Sequence, residues 1–447
     1  MAGNTVKTLT GWGRCTRSQA HVAYPADATE AAALVAGAGS VLGRGLGRAY
    51  GDAAQNAGGL VIATDRLQDR SAPGPVMNIA AGVSIDDLLR QIVPAGYFVP
   101  VTPGTRYVTL GGALASDIQG KNHHADGALS AHTESIDLVL ADGQQVTVTP
   151  NQDAELFWAT AGGMGLTGLI AGARIRMRPI ESSQLLVDTT RAHDLDDLIS
   201  AMYDADSTHR YSVAWVDTLA TGRALGRSVL TVGDFAAVVD LPAKQRNAPL
   251  AYSPSKPLTA PITMPNLALN RWSVAAFNEM WFRKAPKRRL GELQSIPTFF
   301  HPLDGVADWN RIYGSRGFLQ YQVIVPDGYE DLLRSMLERF ASARCPVFLA
   351  VLKRFGPEGP SPITFALKGW TLALDIPTDV SGLGRLLDGM DDEVAQAGGR
   401  IYLTKDSRMS PATFRAMYPK AKDFERVRDR VDPQRKFRSD LSERLRL

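Results

Sequence analysis

Cysteine is nearly absent. Cys15 and Cys345 are the only two in 447 residues, too few and too far apart for a disulfide framework or a cysteine-built metal centre. Long apolar runs are missing as well: no stretch of about 18 apolar residues occurs, so no membrane-spanning helix is expected. The opening MAGNTVKTLTGWGR lacks the apolar h-region of a secretory signal, and none is expected there. Neither sign of charge is in excess, since 49 Lys+Arg against 46 Asp+Glu leave only +3. No dense basic stripe interleaves with aromatics, which argues against nucleic acid as a partner. With 45% hydrophobic and 21% charged residues the chain has the composition of a folded globular protein. Its length exceeds one ordinary core, so two domains are expected. No internal repeat is visible.

What is plentiful is clustered glycine. GRGLGRAYGD, residues 43–52, places three glycines at alternate positions after a strand-like run. Such backbone turns tightly and approaches a ligand closely. It is no Walker loop, because Gly47-Arg48-Ala49 stands where Gly-Lys-Ser/Thr is needed. It is no Rossmann fingerprint either, because Arg48 or Tyr50 falls where the last glycine belongs. What remains is a turn whose successive N–H groups form an anion-binding nest, or a tight turn that binds nothing. TPGTRYVTLGGALASDIQGKNHHADGAL (102–129) and AGGMGLTGLI (161–170) repeat the glycine-rich character among small residues. Three such clusters suggest a long, flat cofactor wrapped by main chain. The pair His123–His124 lacks ligand spacing and an accompanying carboxylate or cysteine set, so no metal site is expected.

The hydrophobic pattern predicts an α+β protein. Strands are expected in SVLGRG, GLVIATD, VMNIAAGVS and YFVPVTPG. SIDDLLRQIVPAG reads as a helix with Ser84 as N-cap and Gly96 closing it. ESIDLVLADGQQVTVTP reads as a hairpin turning at Asp142-Gly143, DAELFWAT as a short helix and GLIAGARIRMRPI as a strand. Further on, GFLQYQVIVPDG, YEDLLRSMLERFASAR, PVFLAVLKRFG, GWTLALDIP, LGRLLDGMDDEVAQAGG and RIYLTKD follow the order β-α-β-β-α-β of a ferredoxin-like unit. Residues 243–290 are irregular and expected to be a long loop. Within it, AAFNEMWFRKAPKRR sets aromatics beside a basic run, a mixture that suits an anionic membrane surface or a merely solvated loop. Side chains alternate along a strand, so Gln320 and Gln322 share one face. Lys405 stands at a strand end.

GRGLGRAYGD, PGTRYVTLGGALASDIQGKNHH and AELFWATAGGMGLTG resemble the FAD-binding domain of the vanillyl-alcohol-oxidase-type (PCMH-type) flavoproteins. KDSRMSPATFRAMYP and FERVRDRVDPQRKFRSDLSERL resemble that family's C-terminal segment, which returns to the flavin domain. Trp215 in SVAWVDT, then FHPLD, WNRIYG, GFLQYQ, KRFGP and IYLTKDSR match, in order, the branch that oxidises decaprenylphosphoryl-ribose. The resemblance implies an FAD-binding domain over 1–182, a substrate domain with an antiparallel sheet over 183–399, and a returning segment over 400–447. It implies flavin contacts from Gly43, Arg44, Gly45, Leu46, Gly47, Arg48, Ala49, Tyr50, Gly51, Asp52 and Ala53. Gly104, Thr109, Leu110, Gly111, Gly112, Ser116, Asp117, Ile118, Gln119, Asn122, Ile170 and Tyr402 would complete them. Wider-family members that attach flavin covalently use a histidine in the first loop; none stands there, so non-covalent FAD is expected.

On the substrate side the resemblance implies Lys405, Gln320 and Gln322 at the reacting hydroxyl. Trp215, Phe300, Lys353, Phe355, Thr371 and Ala373 would surround the sugar phosphate. The implied reaction oxidises the 2′-hydroxyl of a polyprenyl-phosphoryl-β-D-ribose to the keto sugar, the first half of an epimerisation towards the arabinose donor for cell-wall arabinan. An NADH-dependent reductase partner and a cytoplasmic or periplasmic position peripheral to the inner membrane go with it. The alternative is a soluble sugar-alcohol or aldonolactone oxidase using O2. Four departures bear on the substrate. Relatives carry histidine at Gln119, tyrosine at Phe300, and an Asn-x-Cys pair where Thr371 and Ala373 stand. The last removes the thiol that nitroaromatic inhibitors attack.

Overall fold

The computed structural model describes residues 5–255, 258–259, 263–265 and 269–447. The chain opens with β1 (Thr5–Thr10), β2 (Arg17–Ala23), helix α1 (Ala28–Gly37), β3 (Val41–Arg44) and β4 (Leu60–Ala63). These strands form a sheet in the order β1-β2-β4-β3, in which β4 runs parallel to both β2 and β3. Asp27 caps α1 by accepting from the amides of Thr29 and Glu30. A second sheet, in the order β5-β8-β6-β7, is built from β5 (Val76–Ala80), β6 (Thr133–Val139), β7 (Gln145–Val148) and β8 (Leu169–Arg176). Helices α2 (Ile85–Ile92), α3 (Leu110–Ala115) and α4 (Ala154–Thr160) accompany it. Ser84 caps α2 by accepting from the Asp87 amide, and Gly96 ends the following turn at φ 85°. The β6–β7 hairpin turns at Gly143, whose φ of 87° favours glycine. YFVPVTPG keeps only Tyr97–Phe98 as strand.

The second region holds one antiparallel sheet of eight strands. Its first half is β9 (Gln184–Ala192), α5 (Leu195–Asp206), β10 (Tyr211–Val216), β11 (Ser228–Phe235), α6 (Arg271–Lys284) and β12 (Arg288–Ser295). The other half is β13 (Phe318–Pro326), α7 (Glu330–Ser342), β14 (Leu349–Phe355), β15 (Gly369–Pro377), α8 (Leu383–Gln396) and β16 (Arg400–Ile401). The order is β12-β9-β11-β10-β14-β15-β13-β16. Each half alone therefore has the ferredoxin-like order 4-1-3-2, and the halves join edge to edge where Ala214 and Trp215 pair with Leu352 and Val351.

Two expectations need correction. The sheet does contain a repeat, invisible in sequence because the two halves share topology but no residue pattern. And 243–290 is not one loop, since α6 occupies fourteen of its residues. Asn270 accepts from the amides of Trp272 and Ser273 to start that helix, while only Val274 and Asn278 of it are buried, so no amphipathic period marks it. The parts of that stretch at 256–257, 260–262 and 266–268 lie outside the described residues.

After β16 the chain forms α9 (Pro411–Met417), α10 (Ala421–Val431) and α11 (Asp440–Leu445). It returns to the first region: Val41 bridges Phe437, and buried Arg428 donates to the carbonyls of Leu166 (3.1 Å) and Phe437 (2.8 Å). One continuous apolar core includes Leu114 and Phe157 of the first region, Leu372 and Val323 of the large sheet, and Phe414 and Leu441 of the tail. Arg400 and Ile401 pair with β13, so the return begins after them.

Candidate active site

Strand β3 delivers the chain into the 45–51 loop. Among the described residues, the backbone N–H groups of Gly45, Leu46, Gly47, Arg48 and Ala49 have no acceptor. Gly47 has φ 65°, and a Cβ on it would strike the Arg44 guanidinium. A Cβ on Gly51 would lie 1.9 Å from the Asp406 carbonyl oxygen, so that close crossing demands glycine. Arg48 stacks 3.8 Å over the Trp12 ring and leaves its buried Nε without a partner. A run of unpaired donors beside an arginine fits the oxygens of a dinucleotide pyrophosphate. The helix α3 segment carries the second glycine cluster. Thr109 caps it, Leu110 and Gly111 are buried, and Gly104 in the loop before it has open space where a Cβ would stand. Ile118 and Ile170 are buried beneath. Asp117 sits at φ 40°, accepts from the Ser130 amide and hydroxyl, both at 3.0 Å, and burial pushes its carboxyl up to about 6.

Register assembles the other wall. Gln320 and Gln322 on β13 lie opposite Asp375 and Ala373 on β15. Thr371 and Ala373 lie opposite Lys353 and Val351 on β14, and Val351 lies opposite Trp215 on β10. Because facing residues project to the same side, Gln320, Gln322, Thr371, Ala373, Asp375, Lys353 and Trp215 share one face of the sheet. On it Gln322 Nε2 donates to Thr371 Oγ1 at 3.2 Å, and Gln320 Nε2 donates to Asp375 Oδ1 at 2.5 Å. The Tyr313 hydroxyl reaches the other oxygen of Asp375 at 3.5 Å. Phe355, next along β14, stacks on His123 at 4.3 Å, and His123 Nδ1 accepts from the Gly356 amide. Burial lowers His123 to about 3, so its ring is neutral.

The segment after β16 ties the two walls together. The Tyr402 amide donates to the Gln322 carbonyl, and its hydroxyl donates to the Ser116 carbonyl at 2.7 Å. The Tyr50 amide donates to the Thr404 carbonyl, and Lys405 Nζ lies 3.7 Å from the centre of the Tyr50 ring. Burial lowers Lys405 to about 7, partly opposed by Asp375 and aided by Lys353. Burial likewise lowers Lys353 to about 8, and burial with Lys353 lowers Lys121 to about 7. Burial raises Asp375 to about 7 despite Gln320 and Lys405. Three amines and a carboxyl with shifted protonation, close enough to sense one another, form a candidate reaction centre.

Several expected contacts are placed differently. The Asp52 carboxylate accepts from Arg444 Nε and Nη2, both at 2.9 Å, and Arg44 donates to the carbonyls of Ala54 and Thr10, so both side chains brace the loop. Ala53 is buried in the core. Asn122 donates to the Pro100 carbonyl and to Asp126. Gln119 donates to the Asp117 carbonyl. Phe300 is not on the sheet face: its ring packs among Phe98, Tyr211 and Phe299, because a phenyl without a hydroxyl has nothing to gain at a polar wall. Sequence reasoning missed Asp375 and Lys121. A lone carboxylate inside the apolar strand WTLALDIP was the available signal for the first. Lys121 donates to the Phe299 carbonyl and lies 4.2 Å from its ring centre, contacts 178 residues apart that no local pattern announces.

Comparison with known proteins agrees with this architecture. Residues 19–149 match the family model described as FAD binding domain, and residues 378–445 match the one described as D-arabinono-1,4-lactone oxidase. The chain is 40% identical to decaprenylphosphoryl-beta-D-ribose oxidase of Mycolicibacterium smegmatis, over 99% of this chain and 98% of that one. It is 39% identical to an uncharacterized protein of Streptomyces coelicolor, over 82% of this chain and all of the other. Cytokinin dehydrogenase 4 of Arabidopsis thaliana is 27% identical over 31% of this chain and 28% of its own. The unpaired amides of the first loop, the contact of Lys405 with Tyr50 at its end and the full-length similarity lead to one conclusion: the chain belongs to the decaprenylphosphoryl-β-D-ribose oxidase family and is an FAD-dependent oxidoreductase.

Proposed function

We propose that the protein oxidises the 2′-hydroxyl of a polyprenyl-phosphoryl-β-D-ribose to the 2′-keto sugar, with FAD held non-covalently. The observation that carries this reading is the polar sheet face of Gln320, Gln322, Asp375 and Lys353, met by Lys405 across from the glycine loop. Bound FAD supplies the acceptor for the hydride that leaves the carbinol carbon. The amides of 45–49 would hold its pyrophosphate, and the 109–119 segment with Tyr402 would line the rest of its site. Lys405, whose amine and ammonium forms coexist near pH 7, takes the hydroxyl proton. Gln320 and Gln322 orient the sugar hydroxyls, and Lys353 with Lys121 neutralises the phosphate. Trp215, Thr371, Ala373 and Phe355 shape the sugar pocket. The three-part organisation over 1–182, 183–399 and 400–447 belongs to this proposal, with the qualification that 400–401 complete the large sheet. So do the NADH-dependent reductase partner that would reduce the keto sugar to the arabinose epimer and a position peripheral to the inner membrane.

Support for the soluble aldonolactone oxidase alternative is confined to the match over 378–445, a stretch that includes α8 and the tail against the flavin loop and excludes Gln320, Gln322 and Lys353. Anaerobic mixing with decaprenylphosphoryl-ribose distinguishes the two. Flavin absorbance should bleach with the lipid-linked sugar and not with free aldonolactones or sugar alcohols. Bleaching by the free compounds alone would overturn the proposal.

A further inference from the structure

The segment from Lys121 to His124 is held from two sides. The Lys121 carbonyl accepts from the Ser212 amide at 2.9 Å, and His124 Nε2 lies 3.0 Å from the His209 carbonyl oxygen. The chain leaving β14 comes so close that a Cβ on Gly356 would stand 2.8 Å from the His124 carbonyl oxygen. His123 is thereby fixed with 2% of its surface exposed and its ring stacked on Phe355.

One ring nitrogen of His123 dictates the chemistry of the other. Nδ1 accepts from the Gly356 amide at 3.1 Å, and an amide N–H only donates, so Nδ1 carries no proton. The ring is neutral, and its single proton therefore sits on Nε2 as a donor. Among the described residues nothing accepts from that nitrogen. Nor is it sealed: the unpartnered Nδ1 of His301 is closed off from solvent, whereas Nε2 of His123 keeps contact with it. A buried, rigidly oriented N–H with no acceptor of its own is a place for a ligand oxygen. Lys353 faces the same ring, its Nζ 5.5 Å from the centre of Phe355, and its charge opposes protonation of His123. Lys121, two residues before His123, senses Lys353 as well. Beside two amines, an uncharged donor adds a hydrogen bond to an anion without adding a third positive charge for the amines to repel.

We infer that His123 is a substrate-binding residue whose Nε2–H donates to a phosphoryl oxygen of the sugar phosphate that Lys353 and Lys121 neutralise. The inference rests on the proposed substrate class, but it is read by binding and not by oxidation. The full FAD-loaded chain, carrying isotope-labelled histidine, is titrated in the magnetic-resonance spectrometer with inorganic phosphate and with a short prenyl-phosphoryl-β-D-ribose. The free protein should show His123 protonated at Nε2 alone, and the sugar phosphate should move that Nε2–H resonance downfield. Two variants separate binding from structure. His123→Asn keeps an acceptor within reach of the Gly356 amide and removes the Nε2 donor, whereas His123→Gln keeps a donor near the Nε2 position and gives up the Gly356 bond. His123→Asn should weaken binding of the prenyl-phosphoryl sugar by about tenfold to a hundredfold, the share of one hydrogen bond to a charged partner, with little change in melting temperature. His123→Gln should melt lower and yet recover most of the affinity. Affinity that follows the melting temperature through both variants would reduce His123 to a structural role and overturn the inference. A proton on Nδ1, an Nε2–H that the sugar phosphate does not move, or a response to inorganic phosphate alone would overturn it equally. If the resonance moves and the flavin does not bleach, the binding role stands and the proposed reaction falls.

Discussion

At the residue scale the chemistry turns on Lys405 and Asp375. Lys405 serves as a base only when neutral, so flavin reduction should rise as pH increases through about 7 and then level. Lys405→Ala should reduce the rate of anaerobic bleaching by roughly 10²–10⁴-fold, the usual share of a positioned base, while the flavin spectrum shows FAD still bound. Unchanged bleaching kinetics would remove Lys405 from the mechanism. The Asp375 carboxylate favours the ammonium form of Lys405, so Asp375→Asn should move the rising limb to lower pH. A limb that stays put, or moves up, would show that the two do not communicate. Ala373 faces Gln322 across the sheet and is only partly buried. A nitroaromatic inhibitor of the cysteine-directed kind should leave the parent's intact mass unchanged and add to Ala373→Cys, as mass spectrometry would read directly. Lys405, Lys353 and the two glutamines were visible through motif and strand alternation. Asp375 was not, because a carboxylate in an apolar strand acquires meaning only from the amide and amines folded against it.

At the element scale, the tail α9–α11 decides whether the glycine loop holds its shape. Arg444 on α11 grips Asp52 of the loop through two hydrogen bonds of 2.9 Å and Asp406 beside Lys405 at 2.8 Å. Both carboxylates are buried; burial by itself lowers the basicity of Arg444, but the hydrogen bonds and charges of Asp52 and Asp406 outweigh it and raise it. Arg444→Leu would strand two buried charges, a change that costs about 3–5 kcal/mol. It should lower the melting temperature and weaken FAD retention on gel filtration; a variant that keeps its flavin and its melting point would refute the clamp. Elements with strong local signals were legible: Ser84 and Gly96 bounding α2, the Asp142-Gly143 hairpin and the 3.6-residue period of α7. Helix α6 was not, because a helix held by two buried residues and polar bonds shows no apolar stripe.

At the scale of the whole molecule, two ferredoxin-like halves make one sheet whose polar face is tied to the first region through Tyr402 and Lys405. A cofactor that binds only the folded state raises its stability by about 2.7 kcal/mol at a free concentration one hundred times its Kd. Stripping FAD should therefore lower the melting temperature, and adding it back should restore it in proportion to the logarithm of its concentration. A melting point indifferent to FAD would contradict a fold built to hold it. The amino-acid order by itself determined the strands β3–β8 and β13–β16, the helices α2, α4, α7 and α8, the glycine turns and the family's motif positions, because dihedral preference and periodicity act over a few residues; the strands β9–β12 of the first half-sheet were not read from it. Tertiary structure alone decided that Asp52 meets Arg444, that Lys121 and Lys353 sense each other, that Phe300 turns into the core, and that two unlike stretches adopt one topology. Those outcomes depend on contacts between residues far apart in the chain, where burial and charge act through space and leave no trace in local pattern.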